Sequence, residues 1–142
     1  MRDLFNHIHP LRAISPAAAV ENNTAWVAEV IDRQGYESLT YVINTGSLAD
    51  ADATFAVLLE ESDAANMSGA TAVADADLLG TEALAGFTFA ADNKTRKLGY
   101  VGNKRYTRLT VTPSGNSGVA FVSAVAILGH PHQGPTPNPP VA

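Results

Sequence analysis

The sequence contains no cysteine. The fold therefore uses neither disulfide bonds nor thiolate metal sites, and a thiol nucleophile is excluded. Charged residues are also scarce, at 16% of the chain compared with roughly 25% in an average soluble domain. Much of the surface must consequently consist of small and uncharged polar residues, which suits burial against neighbouring subunits.

Long basic runs and long apolar runs are both missing. The net charge is -5, and the most basic segment, residues 94–108, alternates in a way that predicts solvent-facing edge charges. We therefore expect no nucleic-acid partner, because such binding depends on neutralising phosphates. No apolar run approaches the roughly 18 residues of a spanning helix, and the first ten residues lack a signal-peptide layout. We expect synthesis in a cytoplasm and no membrane partner.

The sequence is instead rich in short stretches that alternate between apolar and polar residues. Hydrophobic residues make up 46% of 142 residues, which is enough for the core of one domain. The period of two predicts an all-β protein, an antiparallel β-sandwich of jelly-roll or related topology with about seven or eight strands. Gly102 and Asn103 predict a tight hairpin turn between two of them. The predicted strands are residues 24–31, 38–44, 53–61, 70–73, 83–90, 96–101, 105–112 and 119–128.

The two ends of the chain differ from the middle. Residues 1–23 contain Pro10 and Pro16, which disfavour helix, and we predict an extended N-terminal arm. Residues 24–128 form the predicted sandwich. Residues 129–142 are rich in proline, and we predict an extended tail that joins no strand ladder. We predict partner contacts for apolar residues of the arm and prolines of the tail: Leu4, Phe5, Ile8, Leu11, Pro135, Pro137 and Pro139.

The four histidines form two pairs with one residue between the members. These are His7 with His9 and His130 with His132. Residues i and i+2 of an extended chain point to the same side, so each pair could chelate a zinc-like ion, and all four could converge if the termini met. Histidines next to prolines in exposed segments are more often without a metal. We predict no metal or cofactor, with these four residues as the candidates if one binds.

No constellation of residues predicts catalysis. The chain has no Gly-x-Ser-x-Gly motif, its histidines all lie in terminal segments, and no glycine-rich phosphate loop is present. The Asp-x-Asp pairs at residues 50–52 and 75–77 are more typical of turn caps than of calcium ligands. We therefore predict that the protein is not an enzyme.

Five segments resemble a family of small proteins encoded among the head genes of tailed phages and prophages. They are residues 31–39 (IDRQGYESL), 48–55 (LADADATF), 94–100 (KTRKLGY), 104–113 (KRYTRLTVTP) and 126–131 (AILGHP). The resemblance implies a virion protein on the capsid surface, a decoration or cement protein that binds the major capsid protein. It brings no catalytic residues to carry over. Independently of the resemblance, the two arm-like ends of the chain suit arm exchange between subunits, so we expect a homo-oligomer, a trimer or a dimer.

Two other functions stay open at this point. The first is a head–tail connector, collar or tail protein, which would assemble into rings. The second is a carbohydrate-binding adhesion module. In that case exposed aromatic side chains would cluster in a shallow groove, whereas aromatics at alternating strand positions more often pack in a core or an interface. The candidates for such a groove are Trp26, Tyr36, Tyr41, Tyr100 and Tyr106.

Overall fold

Eleven β-strands dominate the computed structural model, which describes residues 2–140. The predicted all-β class is confirmed, but the predicted number of strands is too low, because several strands have only two residues and show no alternation. Short helical turns lie at Phe5–His7, Asp75–Asp77 and Phe89–Ala91, and a single α-helix, α1, spans Glu82–Ala85. The strands are β1 (Ile8–Ile14), β2 (Trp26–Val27), β3 (Ile31–Asp32), β4 (Tyr36–Leu48), β5 (Thr54–Ser62), β6 (Thr71–Ala72), β7 (Leu78–Leu79), β8 (Phe87–Thr88), β9 (Thr95–Tyr100), β10 (Tyr106–Ser114) and β11 (Ala120–Pro131).

The strands form two antiparallel sheets. Sheet I has the order β1-β11-β4-β9-β7, and sheet II has the order β2-β10-β5-β6, with β3 also on β10 and β8 also on β5. The first strand thus pairs with the last, β2 with β10, β4 with β9 and β5 with β8. This nested pairing, with its two Greek keys, is that of a jelly roll.

The core lies between the two sheets and is almost entirely apolar. Alternate residues of each strand point inward, as the period of two predicts. The hydroxyl of Tyr41 on sheet I is 2.7 Å from the hydroxyl of Thr107 on sheet II, and both residues are fully buried. Burial raises the pKa of Tyr41, so the pair stays neutral. The apolar side chains around it include Leu39, Ile43, Leu59, Leu98, Leu109, Val111, Ala126 and Leu128.

The predicted hairpin at Gly102 and Asn103 is wrong. Strand β9 belongs to sheet I and β10 to sheet II, so the loop crosses from one sheet to the other. The guanidinium of Arg33 holds the crossing by donating to the carbonyls of Lys104 (2.8 Å) and Gly102 (3.2 Å). A glycine–asparagine pair permits both connections, so the sequence alone cannot distinguish them.

The predicted strand at residues 83–90 is also wrong. This stretch contains α1, β8 and a helical turn at Phe89–Ala91. The hydroxyl of Thr81 accepts a hydrogen bond from the backbone N–H of Leu84 at 3.0 Å and caps the start of α1. No helix among residues 2–140 is long and apolar enough to cross a membrane.

Both terminal segments contribute to sheet I. The predicted arm contains β1, which pairs with β11 from Ile8 opposite Gly129 to Ile14 opposite Ala124. The predicted tail begins inside β11, because Gly129 and Pro131 still pair with β4. Proline is tolerated at an edge strand or at a strand end, where its missing N–H breaks no ladder bond. For this reason Pro10 does not prevent β1, and the prediction that no ladder extends beyond residue 128 is wrong.

Candidate interaction surface

The C-terminal segment is fastened onto the N-terminal one. The backbone N–H of Thr136 donates to the carbonyl of Asn6 at 3.1 Å, and its hydroxyl donates to the carbonyl of Ile8 at 2.6 Å. Thr136 is only 7% exposed, whereas the neighbouring Pro135 and Pro137 are exposed. The tail therefore lies along the start of β1 with its prolines turned outward.

The residues predicted to contact a partner are only partly accessible. Leu4 and Phe5 are 60% and 65% exposed, and Ile8 is half-buried. Leu11 instead points inward and packs against the core. Leu4 and Phe5, which precede β1, are the most exposed of the four. Of the predicted tail residues, Pro135, Pro137 and Pro139 are all exposed.

The outer face of sheet I extends this apolar surface. Val125 and Phe121 on β11 are 40% and 41% exposed, and Ile127 on the same strand is half-buried. Leu4, Ile8 and Ile127 line one shallow cavity of about 240 Å³, which joins the N-terminal segment to the sheet. We name this surface the apolar face, and it consists of Leu4, Phe5, Ile8, Phe121, Val125 and Ile127.

Sequence reasoning missed the part of the apolar face that lies on β11. It predicted a long apolar strand at residues 119–128 without assigning its two faces to the core or to a partner. The available signal was that Phe121, Val125 and Ile127 share one face, opposite the buried Val122, Ala124 and Ala126. A strand that is apolar on both faces is either buried on both sides within its own fold or covered on its outer face by a partner protein.

The outer face of sheet II is more polar. Arg108 and Glu60 form an ion pair at 3.3 Å in the middle of this face, between β10 and β5. Thr110 and Thr112 follow the pair along β10, with exposed Leu58 opposite Thr110. The outer face of sheet II therefore mixes the exposed apolar side chains of Val27 and Leu58 with threonines and an ion pair, whereas the outer face of sheet I carries the apolar face.

The five aromatic candidates do not form an exposed groove. Tyr41 and Tyr100 are buried, and Trp26 packs on Phe55 with ring centroids 6.1 Å apart. Tyr36 stacks on His9 at 5.3 Å. The remaining candidate, Tyr106, lies under the guanidinium of Arg105 at 5.0 Å.

The four histidines lie near the same end of sheet I but do not converge. His9 is buried, and His132 pairs with the carboxylate of Glu37, which lowers the pKa of Glu37. His7 and His130 line the cavity of the apolar face. Within residues 2–140, no group of three or more His, Asp or Glu side chains is arranged to hold a metal ion.

The Asp-x-Asp pair at residues 50–52 caps a turn, as predicted. The carboxylate of Asp50 accepts hydrogen bonds from the backbone N–H groups of Ser117 (2.8 Å) and Asp52 (2.9 Å). These bonds lower the pKa of Asp50. The carboxylate therefore ties two loops together, which is a structural role.

Comparison with known proteins extends the fold assignment. No protein-family model matches the chain, and no curated protein matches its sequence. The fold is similar to a chain of the capsid of Ralstonia phage GP4, with a TM-score of 0.53 and 9% identity over 91% of this chain and 88% of that one. At this identity the similarity establishes a shared β-sandwich fold, which therefore occurs in a phage capsid.

Parts of larger enzymes are similar at lower scores. A family two carbohydrate esterase from Cellvibrio japonicus gives a TM-score of 0.42 with 10% identity, over 92% of this chain and 36% of that one. A Clostridium thermocellum xylanase fragment with a CBM22 module gives 0.44 with 12% identity, over 91% of this chain and 27% of that one. This chain thus spans about a third or less of either protein.

Proposed function

We propose that the protein is a structural component of a phage virion, a decoration protein that binds the major capsid protein on the outside of the head. The observation that carries this proposal is the apolar face, on which Leu4 and Phe5 are 60% and 65% exposed. The similarity in fold to a chain of a phage capsid supports a virion role.

Physical chemistry favours a covered apolar face. Monomeric proteins rarely expose contiguous apolar patches, and such a patch usually marks an interaction site. Burying one exposed Leu or Phe side chain contributes about 2 kcal/mol, so the residues of the apolar face would supply part of the free energy that offsets the entropy cost of association. The apolar face is built on sheet I and on the segment fastened to it by Thr136, which gives it a firm support. Assembly as a trimer or a dimer on the capsid lattice is part of this proposal.

Binding of purified protein to empty shells of the major capsid protein tests the proposal, with cryo-electron microscopy of the particles. Phe5→Asp places a charge in the apolar face and should weaken shell binding by about tenfold or more. Leu84→Asp is the matched control, because Leu84 is 71% exposed on α1, which packs mainly against β5 of sheet II and also near β9. The control should bind as the unchanged protein does.

Three outcomes would count against the proposal. Equal binding by Phe5→Asp and the unchanged protein would remove the apolar face as the contact surface. Failure of the unchanged protein to bind shells, with rings or tail tubes in the images instead, would favour a connector, collar or tail protein. Binding to glycans by the isolated protein would favour an adhesion module.

A further inference from the structure

The fold places His7 and His130 in the lining of one cavity. His7 directly precedes Ile8, which pairs with Gly129 in the ladder between β1 and β11, and His130 directly follows Gly129. Both side chains line the cavity of about 240 Å³ on the outer face of sheet I. In the sequence each histidine has another histidine two residues away, whereas in the structure His7 and His130, from the two ends of the chain, share one cavity.

Each of these imidazoles has a hydrogen-bond partner on Nδ1. Nδ1 of His7 lies 2.7 Å from the carbonyl oxygen of Asp3. A carbonyl can only accept, so Nδ1 carries the proton and Nε2 of the neutral ring has a lone pair. Nδ1 of His130 lies 3.0 Å from the hydroxyl of Ser38, which can accept in the same way. Histidines that bind metals typically donate their second ring nitrogen to such a partner.

The backbone at residues 129 and 130 supports a built site. His130 has a φ of 48°, a left-handed conformation that costs a non-glycine residue about 1 kcal/mol or more and is frequent at functional sites. Next to it, a Cβ atom at Gly129 would lie 2.6 Å from the Ser38 hydroxyl oxygen. The glycine therefore preserves both the position of Ser38 and the open floor of the cavity.

We propose that His7 and His130 bind one divalent zinc-like metal ion through their Nε2 atoms. Imidazole nitrogen is a preferred ligand for Zn²⁺, Ni²⁺ and Cu²⁺. No group of three His, Cys, Asp or Glu ligands is arranged for a metal within residues 2–140, so water molecules complete the coordination. The site shares the cavity of the apolar face with the proposed capsid contact, but zinc binding by the isolated chain requires only its fold.

Isothermal titration of Zn²⁺ into the tag-free full-length protein at neutral pH tests this site. The unchanged protein should bind one ion per chain. His7→Gln and His130→Asn should each weaken binding by about tenfold or more, the difference that 1.4 kcal/mol produces. Asparagine is chosen at residue 130 because it tolerates a positive φ and so preserves the backbone. Circular dichroism and the urea midpoint of both variants verify that they fold.

His132→Gln is the matched control, because His132 is an exposed histidine of the same segment that pairs with Glu37. It should bind zinc like the unchanged protein. The proposal is wrong if the unchanged protein takes up no zinc, or if either His7→Gln or His130→Asn binds as tightly as the unchanged protein. An equal loss in His132→Gln would assign the ion to His132 and Glu37 instead.

Discussion

At the scale of single residues, the Tyr41–Thr107 pair is a polar contact with both hydroxyls deep in the core. The two hydroxyls satisfy each other at 2.7 Å across the two sheets. Tyr41→Phe would leave the Thr107 hydroxyl buried without this partner, which costs about 1–3 kcal/mol of unfolding free energy. Urea denaturation of the variant measures this loss.

The double variant Tyr41→Phe/Thr107→Val provides the control for this prediction. Replacing both hydroxyls removes the unsatisfied group, so the double variant should be more stable than Tyr41→Phe alone. If the two changes were simply additive, the hydroxyls would contribute independently and the cross-sheet bond would have no energetic role.

Among the elements, the connection from β9 to β10 is one of those that cross from sheet I to sheet II. Gly102 lies against the ring of Tyr100, and a Cβ atom there would approach the Tyr100 hydroxyl to 2.5 Å. That hydroxyl donates to the carboxylate of Glu61 at 2.5 Å and accepts from the N–H of Lys104 at 3.0 Å. The close contact means that the crossing depends on a residue without a side chain.

We therefore expect Gly102→Ala to lower the unfolding free energy by about 1–3 kcal/mol, the usual cost of overpacking. The adjacent exposed residue gives the control, since Asn103→Ala should change stability by less than about 0.5 kcal/mol. Thermal or urea unfolding distinguishes the two variants. Equal stability of Gly102→Ala and the unchanged protein would show that the Tyr100 ring can move aside at little cost.

The same elements show what the sequence could predict. The predicted strand at residues 53–61 corresponds closely to β5, because Phe55, Val57 and Leu59 alternate with exposed residues along its whole length. The two-residue strands could not be predicted, since two residues carry no period. For the candidate interaction surface, the sequence identified Leu4 and Phe5 as apolar residues of the predicted N-terminal arm. The β11 part was missed because burial and exposure of an apolar side chain look identical in sequence.

In the molecule as a whole, the terminal segments complete one side of the sandwich. β1 is the edge strand of sheet I, and the tail fastens the segment that leads into it through Thr136. The exposed apolar residues Leu4, Phe5, Phe121 and Val125 lie on this side, whereas the outer face of sheet II carries Val27 and Leu58 together with threonines and an ion pair. One side is thus suited to contact a neighbour, and the other is suited to solvent.

Removal of residues 133–142 tests this division of the molecule. All eleven strands end before residue 133, so the sandwich should stay folded. The loss of the two Thr136 hydrogen bonds should lower the unfolding free energy by about 1–3 kcal/mol and should release residues 2–8. Hydrogen exchange measured by mass spectrometry should show faster exchange in that segment while the core strands stay protected, and shell binding should weaken.

Thr136→Val, which removes only the hydroxyl bond to Ile8, should have a smaller effect of the same kind. A truncated chain that is unfolded would mean that the tail belongs to the folding core, and that the terminal segments cannot act as separable contacts with a partner.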